Sequence, residues 1–146
     1  MSNTEHCIDI CNKLLRGERS AIATYDLAIE KFNLNPSLQE LKRIRDEHAS
    51  AVTRLEGNVR SMGGDPSDDS GAWGSFATVV QSTANFIGEE SAVASLKNGE
   101  IHGKNDYEEA LNDDLVMEDC KAMMRTELLP KTVEHIATLE TLQKMV

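Results

Sequence analysis

The chain is short of the features that mark nucleic-acid binders, membrane proteins and disulfide-stapled secreted domains. Its 146 residues hold 15 Lys and Arg against 25 Asp and Glu, a formal net charge of -10. It therefore lacks the basic clusters that phosphate backbones and anionic lipid surfaces require, and neither nucleic acid nor a membrane is expected as partner. No apolar run approaches the roughly 18 to 20 residues of a membrane span, and the start "MSNTEHCIDI" lacks the basic and then apolar blocks of a signal peptide. A cytoplasmic location is the expectation. The three cysteines are an odd number, and Cys7 and Cys11 stand four apart on one predicted helix, a spacing poorly suited to a disulfide. Metal or redox thiols are the sharper reading of that pair. Cys7, Cys11 and Leu14 share one helical stripe, however, and core packing is the reading adopted, because free cysteine behaves as a small buried hydrophobe.

Proline is also scarce, at positions 36, 66 and 130 only, and the sequence shows no sustained alternation of apolar and polar residues. Apolar residues recur instead at intervals of three and four, the period of an amphipathic helix. This predicts an all-α chain, a single domain over residues 1–146, with four long helices. Helix A is expected from about Glu5 to Phe32, ending before Pro36, which disfavours helical geometry in Asn35. Helix B should open at Ser37, with Glu40 three residues on in a capping-box spacing, and stop at Gly63 and Gly64. The loop-like stretch "GGDPSDDSGAWG" follows, then "SFATVVQSTANFI", read as a short helix near Phe76 to Phe86. Helix C is expected from about Glu89 to Leu111 and helix D from about Leu115 to the C-terminus, with a kink at Pro130. Short A–B and C–D links with a long B–C connection describe two helical hairpins joined by one crossover, the ferritin-like arrangement of a four-helix bundle.

The stretch "RGERSAIATYDLAI", residues 16 to 29, returns as "NGEIHGKNDYEEAL", residues 98 to 111, with glycine, glutamate, tyrosine and alanine at the same spacings. On helix A, Glu18 falls in the stripe of Leu14, Ala21, Ile22 and Tyr25, and on helix C, Glu100 falls with Leu96, Gly103 and Tyr107. Both glutamates should point inward. On helix B, His48 lines up with Ile44, Val52 and Leu55, with Glu47 flanking that face. Helix D offers Glu127, Glu134 and His135. Carboxylates and imidazoles from four helices at one height would form a polar layer in an apolar bundle, and buried carboxylates are costly unless paired, protonated or bound to a cation. The metal candidates are therefore Glu18, Glu47, His48, Glu100, Glu127 and His135, with Tyr25 and Tyr107 donating phenolic hydrogen bonds to the glutamates. Mixed carboxylate and imidazole ligands suit iron, manganese or zinc.

The Gly-Glu-x-x-small-x-x-x-Tyr-x-x-Ala pattern, "EHASAVTRLEGNVRSMGGDP", "GAWGSF" and the final "VEHIATLETL" together resemble an uncharacterised bacterial family of small four-helix-bundle proteins in the ferritin-like superfamily. The resemblance covers almost the whole chain. It implies the fold, and through the wider superfamily it implies dinuclear iron or manganese centres, oxygen or peroxide chemistry, iron storage and roles in stress; for this chain a mono- or dinuclear centre is the expectation. The superfamily's usual ligand set takes one Glu from each of two helices and Glu-x-x-His from each of the other two. Here Ser50 stands three residues after Glu47, Pro130 three after Glu127 and Ala137 three after Glu134, so Glu-x-x-His is missing from both helix B and helix D. Two readings stay open. One is a metal protein with Glu18, Glu47, Glu100 and Glu127 as ligands, assisted by His48 or His135. The other is a metal-free helical bundle that acts by binding itself or another protein.

Overall fold

The computed structural model describes residues 3–32, 37–68 and 88–145, which form helices joined by turns, with no strand among them. Helix α1 spans Asn3–Phe32, α2 spans Leu38–Ser61 and α3 spans Gly88–Leu111. The fourth rod is composite: α4, Glu118–Met123, runs into a π-helical turn, Met124–Leu128, and then into α5, Leu129–Gln143. The short helix expected near Phe76 to Phe86 lies outside the described residues. No helix among the described residues is long and apolar enough to cross a membrane.

Pairs of side chains along the helices fix their directions. Arg19 with Glu56 and Arg45 with Asp26 make α1 and α2 antiparallel. Tyr25 with Glu100 and Tyr107 with Glu18 do the same for α1 and α3. Lys97 with Glu140 and Glu100 with His135 set the fourth rod antiparallel to α3, and Arg54 with Glu127 and Glu47 with Lys131 set it antiparallel to α2. Each helix thus opposes its two neighbours, and α2 and α3 run parallel across the diagonal. The end of α2 and the start of α3 therefore lie about 36 Å apart, at 1.5 Å per residue over the 24 residues of α2.

Inward stripes at helical spacing supply the core. On α2 the buried residues are Leu41, Ile44, His48, Ala51, Val52, Leu55 and Val59, a period of three to four throughout. The apolar core falls into two clusters. Cys7, Cys11, Leu15, Leu55, Val59, Cys120 and Met124 build the one at the α1 N-terminal end, and Tyr25, Leu41, Ile44, Leu96 and Leu139 build the other. Each fully buried Leu or Ile contributes roughly 1.5–3 kcal/mol relative to exposure. The three cysteines are free and buried within the first cluster, as the helical stripe predicts for Cys7 and Cys11.

Local signals at the helix ends work in some places and not in others. Gly63 takes a φ of +86°, and the Gly63 and Gly64 amides donate to the carbonyls of Arg60 and Val59, closing α2 with a Schellman turn. Gly64 must stay bare, because a Cβ there would meet Ile8 Cγ2 at 2.7 Å. The expected capping box does not form. Ser37 adopts helical dihedrals with no side-chain cap bond, and Glu40 pairs with Arg43 instead. The fourth rod starts three residues later than Leu115 because Asp113 Oδ1 accepts the Leu115 amide at 2.9 Å and Cys7 Sγ accepts the Met117 amide at 3.1 Å, which holds the link extended. Pro130 breaks nothing. The irregularity expected there as a kink is taken up by the π-helical turn, and Pro130 sits in the first turn of α5, where a missing amide proton costs little.

Candidate metal centre

Between the two apolar clusters lies a layer of buried polar side chains: Glu18 on α1, His48 on α2, Glu100 on α3, and Thr132 and His135 on α5. His48 stands at its middle. Its Nδ1 lies 2.5 Å from Glu18 Oε2 and its Nε2 lies 2.6 Å from Glu100 Oε2. The other Glu100 oxygen, Oε1, lies 3.3 Å from His135 Nδ1, and His135 Nε2 lies 2.8 Å from Glu47 Oε1. The tyrosines complete the set crosswise. Tyr25 of α1 donates to Glu100 of α3 at 2.5 Å, and Tyr107 of α3 donates to Glu18 of α1 at 3.0 Å. The result is one continuous chain of contacts, Tyr107, Glu18, His48, Glu100, His135 and Glu47, with Tyr25 as a side branch on Glu100. It ends at the surface, where Lys131 and Arg43 pair with Glu47 at 3.5 and 3.3 Å.

The repeated Glu-to-Tyr spacing explains the crosswise pairing. Seven residues are two helical turns, about 10.5 Å. On two antiparallel helices with the same spacing, the tyrosine of each comes level with the glutamate of the other. This signal is present in the sequence, but it becomes readable only once α1 and α3 are known to be antiparallel neighbours.

Electrostatics follow from burial set against pairing. Burial pushes the Glu100 carboxyl up, but the His48 and His135 rings outweigh it and hold the group down at about 2. Burial pushes His48 down, yet the Glu100 and Glu18 carboxylates on its two nitrogens raise it well above the ordinary histidine range. Burial, followed by the adjacent carboxylates, pushes both Tyr25 and Tyr107 well up, so both remain phenols that donate. For Glu47 burial acts upward but His135, Lys131 and Arg43 prevail, leaving it below the usual range. For His48 and Glu100 the pairing thus favours the ionised forms against burial.

The positions singled out from the sequence are distributed as follows. Glu18, His48, Glu100 and His135 meet in the buried layer with Tyr25 and Tyr107, and Glu47 closes its outer edge. Glu127 does not join them. The inward positions of the fourth rod are Cys120, Met124, Leu128, Thr132, His135 and Leu139. Glu127 lies one step off that stripe in the π-helical turn, with its carboxylate on Arg54 at 2.6 Å and its side chain 48% exposed. Glu134 is exposed as well, and pairs with Lys131. Within the layer, His48, Glu100 and His135 each offer one ligand atom to a common point, all within 4.8 Å of one another, and this is the one such group among the described residues. A buried group of this kind can hold a metal ion.

Two spaces border the layer. A small pocket of about 30 Å³ lies between α1 and α3, lined by Gly17, Ala21, Gly99, Gly103, Asp106 and the layer itself. The sequence pattern pointed to Gly103 only as a small residue, and Asp106 carried no signal at all. Asp106 Oδ2 is buried with no hydrogen-bond partner among the described residues, and burial pushes its carboxyl up. On the opposite side a cleft of about 610 Å³ opens between α2 and the fourth rod, with Glu47, His48 and His135 on its inner wall.

The chain belongs to the family described as a domain of unknown function, DUF2383, whose sequence profile matches residues 6–113. That match takes in α1, α2 and α3, and so Glu18, Glu47, His48 and Glu100, but stops before His135. No curated protein and no solved structure matches the chain.

Proposed function

We propose that this protein is a ferritin-like metal protein that holds a divalent iron or manganese ion at His48, Glu100 and His135, with Glu18 and Glu47 on the far nitrogens of the two rings. The ferritin-like reading is supported by helix direction: neighbours antiparallel, α2 and α3 parallel across the diagonal, and polar side chains from all four rods at one level. The single observation that carries the metal reading is the place of Glu100, one carboxylate oxygen toward each imidazole. The donor set fits the ion. Glu47 is already balanced at the surface by Lys131 and Arg43. What remains buried is two carboxylates and two imidazoles, which are neutral overall either with a second proton on each ring or with one divalent cation and neutral rings. A cation would therefore replace two protons, and mixed nitrogen and oxygen donors suit iron, manganese or zinc. A bound iron or manganese ion would supply redox chemistry toward oxygen or peroxide. The residues of the chain hold the carboxylates in place through Tyr25 and Tyr107, and the two apolar clusters close the layer at both ends of the bundle.

The competing reading is a metal-free bundle whose polar layer serves structure while the surface binds another protein or a second copy of the chain. One observation favours it: both nitrogens of His48 already contact carboxylates, so the layer is satisfied by protons alone. Elemental analysis of protein purified without chelator or added metal separates the two. About one iron or manganese per chain, lost in His135→Ala and in Glu100→Gln, is the expected result. A blank after anaerobic loading with ferrous iron and with manganese would leave the metal-free reading.

A further inference from the structure

We infer that the cleft between α2 and the fourth rod is the port through which a hydrated divalent cation reaches the His48, Glu100 and His135 group, and that the ion pair Arg54–Glu127 bars its mouth. This rests on the metal reading above.

Size decides which side the ion can approach from. A water needs about 10–15 Å³ of such space, so a shell of six waters needs about 60–90 Å³. The cavity between α1 and α3, at about 30 Å³, holds about two waters and cannot pass a hydrated ion. The cleft, at about 610 Å³, can. It also leads to the right groups. Its wall includes His48 and His135, two of the three members of the group, and Glu18 and Glu47, which lie against their other nitrogens.

Charge and backbone agree with that direction. The cleft wall carries four carboxylates, Glu18, Glu47, Glu127 and Glu134, against Arg54, Lys131 and the protonated His48, a remaining negative excess that draws positive ions inward. The opening arises where the fourth rod departs from regular geometry. Thr126, Glu127 and Leu128 of the π-helical turn, followed by Pro130, form its rim, and the small Ser50 and Ala51 face them from α2. Two ion pairs cross it. Arg54 on α2 meets Glu127 on the π-helical turn at 2.6 Å, and Lys131 on α5 meets Glu47 on α2 at 3.5 Å. The Arg54 and Glu127 side chains are about half exposed, at 56% and 48%, so their bond can open without disturbing the core.

Stopped-flow binding of cobalt(II) to the full chain, read by its visible absorption, tests the port. Ser50→Trp fills the cleft and should slow both binding and release at least tenfold while leaving the affinity within twofold. Thr53→Trp, an exposed α2 position outside the cleft, should leave both rates alone. Arg54→Gln keeps the core intact should Ser50→Trp fold poorly. Loss of the bar should speed binding and release alike by a few-fold, whereas loss of a repelling charge alone would raise the binding rate without the matching rise in release. Cobalt uptake that is lost in His135→Ala but proceeds at wild-type rates in both Ser50→Trp and Arg54→Gln would overturn the port alone. So would slowing in Gly103→Leu, which blocks the α1–α3 side. Wild-type protein that takes up no cobalt would overturn the site reading and the port with it.

Discussion

Replacing Glu100 by Gln removes one charge from the centre of the layer while nearly keeping its shape, and the structure gives the size of the effect. Glu100 accepts from Tyr25 and contacts His48 and His135, so an amide in its place leaves at least one ring facing a donor. Its carboxyl is held at about 2 against an ordinary 4.5. From that depression the ionised form contributes about 3 kcal/mol to the folded state. Because the folded value is depressed, this stability is present above about pH 4.5 and is lost as pH falls toward 2. Chelator-treated Glu100→Gln should therefore melt roughly 10 °C below chelator-treated wild type at pH 7, taking about 2–4 °C per kcal/mol for a chain of this length. The gap should shrink steadily below pH 4.5. Paired melts from pH 7 to pH 2.5, followed by circular dichroism, measure both features. A gap under about 2 °C at pH 7, or one that persists unchanged at pH 2.5, would refute the assignment of Glu100 as the ionised centre of the layer.

Three further expectations concern parts of the molecule that can be changed separately. His48 is raised by Glu100 and Glu18 against burial, so its contribution is fully present below about pH 6.5 and is lost as pH rises through the folded value; urea midpoints of the metal-free protein should fall on the alkaline side, and His48→Gln should flatten that limb. At Gly103 an added Cβ would meet nothing within 4 Å, so Gly103→Ala should gain about 0.5–1 kcal/mol from helix propensity, a rise of roughly 2–3 °C in melting temperature; a fall would mean that the cavity holds something the methyl displaces. Cys7, Cys11 and Cys120 are all at most 1% exposed, and burial followed by the neighbouring Cys120 pushes the Cys11 thiol up to about 12, so a thiol-specific chromogenic disulfide should label none of them in the native state and all three in denaturant. Rapid labelling of any one in the native state would count against the packed end of the bundle.

How far the sequence discloses these features depends on whether the physics involved is local. Helix existence and inward stripes follow from periodicity, and so Glu18, His48, Glu100 and His135 could be placed in the interior before any coordinates. Turn chemistry is nearly as local: Gly63 and Gly64 end α2 as their order suggests. The failures come from competition. Ser37 and Glu40 have the spacing of a capping box, but Arg43 claims Glu40. Leu115 looks like the start of a helix, but Asp113 and Cys7 take the amides of Leu115 and Met117. Glu127 is a mid-helix carboxylate, but it stands one residue off the buried stripe of Met124, Leu128, Thr132 and His135, and Arg54 takes up its carboxylate outside.

The missing Glu-x-x-His pairs have a physical explanation in the same geometry. In that motif one helix supplies both a carboxylate and an imidazole to the same point, three residues apart on one face. Here α2 carries Glu47 and His48 side by side, about 100° apart around the helix, so the two cannot serve one point. They serve two. His48 turns into the core toward Glu18 of α1 and Glu100 of α3, while Glu47 turns along the cleft toward His135 of α5. Carboxylate and imidazole still meet in pairs, but every pair now joins different helices. The layer therefore ties the four rods to one another, and its members are energetically linked. Cutting the chain at Glu100 leaves His48 and His135 joined only by their ring contact and takes away the acceptor of Tyr25, whereas cutting it at Tyr107 removes one bond at its end. Substitutions within the layer should accordingly be non-additive, with the largest coupling between Glu100 and His48 and the smallest between Tyr107 and Glu47, which lie at opposite ends and share no partner.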